Sequence, residues 1–115
     1  MIHYQQKLDK LIKRILNGPG EASVELRQSV AAKAAEYSGQ AAASDIPDDL
    51  SVWVEKVSLH AYKTTDEDID QLKAAGYSED QIFEITLATA LGAARSRLHS
   101  ALRVVDALKE VPHEA

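Results

Sequence analysis

The stretch TTDEDIDQLKAAGYSEDQIFEITLATALGAARSRLHSALRVVDALKE, residues 64–110, decides the fold. It opens Thr64-Thr65-Asp66-Glu67-Asp68, a hydroxyl followed by acids. The hydroxyl can accept an unpaired first-turn amide, and the carboxylates lie at the positive end of the helix dipole. Ile69, Leu72 and Ala75 are expected to face inward, with Gly76 just past the helix end, where a left-handed conformation suits glycine. Ser78-Glu79-Asp80-Gln81 then reads as a capping box for a second helix. In that helix Phe83, Leu87, Leu91, Ala94, Leu98, Leu102 and Val105 recur at spacings of four, four, three, four, four and three. This stripe predicts one helix running to about Glu110 and ending before Pro112.

Such a helix spans roughly 48 Å at its rise per residue, more than the roughly 25–30 Å diameter of a domain this small. Part of it is therefore expected to pack on another subunit. Ile82 and Ile85 widen the apolar face beyond one seam, and the small residues of 88–94 let a neighbouring backbone lie close.

Upstream, Tyr4, Leu8, Leu11, Ile12 and Ile15 predict a first helix over about 2–17, supported by an Asp9–Lys13 pair and stopped by Asn17-Gly18-Pro19-Gly20. Ser23 is the expected cap of a second, carrying Leu26, Val30, Ala34 and Tyr37 on one face and ending at Ser38-Gly39. The small, polar stretch 38–46 is a connection, with continuation of the helix through alanines 41–43 as the alternative. Ile46-Pro47-Asp48-Asp49 starts a third helix, with Leu50, Val54, Val57 and Ala61 inward and Trp53 and His60 flanking. Alternating β-branched runs are absent, so the fold class is all-α, with about five helices in a single domain over residues 1–115.

Composition narrows the function classes. The 115 residues carry a net charge of −5, so a phosphate-binding face is not expected, and neither is a nucleic-acid partner. The helix–turn–helix shape over 66–95 does not alter this, because its second helix opens on acids that repel phosphate. No apolar run is long enough to span a bilayer, and the N-terminus lacks a signal-peptide core, so a cytoplasmic location is expected. There are no cysteines, which excludes disulfides, thiolate metal sites and thiol redox chemistry within the chain.

The segments Trp53–Ile69 and Leu72–Ile85, followed by the alanine-rich helix with Arg95, Arg97 and Leu98, resemble the carboxymuconolactone decarboxylase and alkylhydroperoxidase-D-like superfamily. The resemblance covers roughly residues 46–105, and a family-like core over 46–110 follows from it, with a looser match around Leu26-Arg27. It implies an all-α bundle assembling into trimers or hexamers. Peroxidase members use a C-x-x-C-x-x-x-H motif, and its three positions fall here on Ala61, Thr64 and Asp68. An alanine cannot be a nucleophile, and a threonine hydroxyl without a base is a poor one. Asp68 likewise stands where decarboxylase members keep a histidine.

The resemblance thus implies a scaffold without its redox chemistry, needing no cofactor: a homo-oligomer with a binding or accessory role, open to a small-molecule ligand. Two alternatives stand beside it. One is an enzyme acting on a small acid or lactone, with His60 and Glu84 as acid–base residues and Tyr62 and Lys63 lining the same pocket. The other is a pure assembly module. For Glu84, a structural pair with Arg95 or Arg97 across a subunit interface competes with the catalytic role. The acids Asp66, Glu67, Asp68 and Asp70 read as a helix start rather than a metal site, and His3, His99 and His113 are too scattered to be ligands.

Overall fold

The computed structural model describes residues 2–39 and 45–110, apart from the side chains of 2–4 and 109–110. The alanines 41–43, the side chains of His3 and Tyr4, His113, and the stop at Pro112 lie outside the described residues. Among those described, every regular element is helical: α1 (Ile2–Asn17), α2 (Val24–Tyr37), α3 (Ser51–Leu59), α4 (Asp66–Ala74) and α5 (Glu79–Glu110). Single 3-10 turns over Asp48–Leu50 and Ala61–Lys63 flank α3. No described helix is long and apolar enough to cross a membrane.

Local chemistry sets the helix boundaries. Ser23 Oγ accepts from the Leu26 amide at 3.1 Å and starts α2. Thr65 and Asp68 exchange side-chain-to-backbone bonds in a full capping box at α4, and Ser78 and Gln81 do the same for α5. At the end of α4, Gly76 adopts φ 107°, its amide donates to the Lys73 carbonyl, and the Tyr77 amide reaches back to the Leu72 carbonyl. This Schellman closure also brings the Tyr77 ring toward Leu72 in the core. Ala75, expected inward, is instead the exposed cap residue of that turn.

The core is built around α2, which lies along α5 and also touches α1 and α3. Val30, Leu50, Val54 and Ile85 are fully buried there, each apolar side chain contributing roughly 1.5–3 kcal/mol by leaving water. Trp53, expected to flank the third helix, is buried instead, with its indole N–H donating to Thr86 Oγ1 at 2.8 Å. Helix α3 is shorter than the pattern implied, and Ala61 is exposed in the 3-10 turn that follows it. Asp9 and Lys13 do not form the expected ion pair.

The largest correction concerns α5. Its buried face is Ile82, Ile85, Ala88, Thr89, Gly92, Ala93 and Ser96. The stripe beginning at Phe83 lies on the opposite side and faces out. The reason is steric. Helix α2 approaches so closely that only small side chains fit between the two backbones. A Cβ at Gly92 would fall on the Ala31 carbonyl oxygen, with that residue's carbonyl carbon and Cα both 2.7 Å away. The alanine-rich face expected to hold another subunit is thus largely occupied by α2. Beyond Ser96 every described side chain of α5 is exposed, and the molecule measures 64 × 27 × 24 Å.

Candidate functional site

The residues proposed for chemistry do not converge. His60 is the exposed cap residue of α3, its amide bonded to the Lys56 carbonyl at 2.7 Å. Its ring meets Tyr62 edge-on, with centroids 5.9 Å apart. Tyr62 is 80% exposed, and the Lys63 ammonium lies 6.0 Å from its ring centre. These three residues form a solvated corner, because the 3-10 turn carries Ala61–Lys63 away from the core.

Glu84 is committed elsewhere. Its carboxylate accepts from the Glu21 amide through both oxygens and from the Ala22 amide, each at 2.9 Å. It thereby pins the turn between α1 and α2 onto the start of α5. Gly20 is needed for this, since a Cβ there would lie 2.9 Å from Glu84 Cδ and closer still to Oε1. A carboxylate holding two backbone amides is an anchor within the subunit. Arg97 instead donates to the Ser58 carbonyl.

The acid cluster also resolves into structure. Asp68 pairs with Lys56 at 2.9 Å while capping α4, and the Lys56 ammonium, with help from Thr65, holds its carboxyl below the ordinary value. No group of three potential metal ligands forms among the described residues. At the turn into α5, the Tyr77 hydroxyl donates to Asp49 Oδ1 at 2.7 Å. Burial, then the Asp49 carboxylate, pushes this phenol up to about 12. A raised folded-state value favours the fold fully below the ordinary 10.0 and loses that contribution as pH climbs toward 12. Tyr77→Phe is therefore expected to flatten the fall in stability over that interval, read from denaturant midpoints against pH. An unchanged alkaline limb would remove this role for Tyr77.

Sequence reasoning overlooked Arg27. It is only 3% exposed, and its guanidinium donates to the carbonyls of Ala22 (3.1 Å), Ile15 (3.0 Å) and Gly18 (2.5 Å). It thus closes the C-terminal end of α1, whose last carbonyls carry partial negative charge. A signal was present: Arg27 is in helical register with Val30, Ala31 and Ala34, the buried face of α2.

What the surface offers is apolar. A groove of about 980 Å³ runs between α1, α2 and the middle of α5, lined by Leu8, Ile12 and Leu16, by Ala31 and Ala35, and by Leu98 and Leu102, together with Asp9, Arg95 and His99. Beside it, the outer stripe of α5 is bare, with Phe83 66%, Leu98 46%, Leu102 48%, Val105 44% and Leu108 65% exposed. No known protein family, curated protein or solved structure matches the chain.

Proposed function

We propose that the chain is a non-catalytic interaction module that works by self-association through the outer face of α5. The observation that carries this is the exposed stripe from Phe83 to Leu108, the longest apolar pattern in the chain, placed opposite the core. Isolated exposed leucines are ordinary, whereas a continuous apolar stripe along a projecting helix marks an interface. Two such stripes facing each other would have to remove roughly 1,200 Å² from water to reach the lower bound of a specific interface. The segments 53–69 and 72–85 support placing the module among cysteine-free relatives of the alkylhydroperoxidase-D-like proteins, whose assembly surface it would keep without the redox chemistry.

The full-length chain is expected to scatter light as a multiple of its 12.6 kDa mass at micromolar concentration. Leu98→Glu places a charge in the stripe without touching the core and should weaken association about 100-fold or more. Unchanged circular dichroism would show that the subunit still folds. A wild-type chain that stays monomeric at all concentrations overturns the reading.

A further inference from the structure

We infer that the surface covering this stripe is the α5 helix of a second copy, lying antiparallel about a two-fold axis that passes between His99 and Ser100. The inference rests on the self-association reading and adds its geometry.

The outward seam, exposed except at the half-buried Leu91, is a heptad. Leu87, Leu91, Ala94, Leu98, Ala101, Val105 and Leu108 follow one another at four, three, four, three, four and three, which is the spacing of paired helices over three repeats. The buried seam of the same helix, Ile82, Ile85, Thr89, Gly92 and Ser96, has the same rhythm on the other side. One seam is occupied by α2 within the subunit, and the other is free.

Side-chain size selects the direction. When residue numbers in facing layers add to 199, Leu98 meets the partner's Ala101, Val105 meets the partner's Ala94 and Leu91 meets the partner's Leu108. Each alanine faces a larger side chain, so the layers fill evenly. A parallel pair would instead set Ala94 on the partner's Ala94 and Ala101 on the partner's Ala101, leaving both layers without close contact.

Charge agrees with size. Arg95 and Asp106 lie along the same flank of the seam, and neither forms an ion pair among the described residues. The antiparallel register brings Arg95 beside the partner's Asp106 twice, once on each side of the axis. In a parallel pair they stand eleven residues apart, about 16 Å along the helix.

The shape accommodates this arrangement. The buried part of α5 ends at Ser96, which the register sets opposite the partner's Arg103, so each folded body lies alongside the far end of the other's rod. A bare trimer has no two-fold axis, so the arrangement gives a dimer or an even-numbered assembly built from dimers.

The absence of cysteine makes the test clean, since any disulfide reports an introduced position. Full-length Ala94→Cys and Val105→Cys chains, both changed at exposed sites, would be oxidised mildly, alone and as an equimolar mixture. The expected result is a cross-link only in the mixture, joining the two different chains. Homodimeric cross-links from each variant alone would show parallel pairing and overturn the register while leaving self-association intact. No cross-link from a chain of dimer mass would place the interface elsewhere, with the same consequence. No cross-link from a chain of monomer mass overturns both readings. As an independent check, Arg95→Asp should weaken association about tenfold, and adding Asp106→Arg should restore it.

Discussion

Gly92→Ala is expected to destabilise the fold by about 3 kcal/mol, because the methyl group would have to displace backbone. Helix propensity alone points the other way, since alanine is about 1 kcal/mol better than glycine inside a helix. The crossing decides the sign. The nearest atoms are the carbonyl oxygen, carbonyl carbon and Cα of Ala31, which belong to the rigid spine of α2. No side chain can swing aside, so α2 and α5 would have to separate along their whole contact. That loosens Val30, Ala34, Ile85 and Ala88 together. The expected drop in Tm is on the order of 10 °C for a domain of this size. Thermal and denaturant unfolding measure it directly. A variant as stable as the parent, or stabilised by its better propensity, would show that the helices do not cross this closely.

Arg27→Met carries the second large effect, an expected loss of about 2–3 kcal/mol. Methionine reproduces much of the side chain's bulk and removes only the guanidinium. That leaves the carbonyls of Ile15, Gly18 and Ala22 without the donor that now serves all three. Among the described residues no carboxylate pairs with Arg27, and its charge faces carbonyl dipoles at the end of α1. Arg27→Lys should recover little, because one ammonium cannot reach three carbonyls set around a planar fork. Denaturant titration of both variants checks this. A neutral Arg27→Met would mean that water takes over those carbonyls at no cost.

Much of the architecture was legible in the sequence, for local reasons. Ser23, Thr65, Ser78 and Gly76 act within three or four residues of themselves, so their capping roles can be read from spacing. The apolar stripe of α5 was legible as a helix but not as a surface. Periodicity reports the face on which large side chains lie, and here the intramolecular contact uses the small ones, Ala88, Gly92 and Ala93. Which face a subunit covers itself depends on how near α2 comes, and that is set by Ala31, far away in sequence.

The candidate site was less legible. Glu84 looked free because its partners, the amides of Glu21 and Ala22, lie 63 and 62 residues upstream. His60 sits next to an apolar pattern but falls at its end, where the chain turns outward. Arg27 was overlooked, although it stands in helical register with Val30, Ala31 and Ala34.

The projecting end of α5 has one further consequence. Beyond Leu102, the last residue of α5 to line the groove against α1, every described side chain is exposed, and a short free stretch of helix is marginal in water. Its order is inherited from the packed turns that precede it, and a second copy on the proposed interface would reinforce it. Protection of its amides from solvent exchange would therefore rise with protein concentration, while that of the turns before Ser96 would not. On the proposed self-association, rigidity at this end of the molecule would be a collective property, acquired when copies meet rather than when a single chain folds.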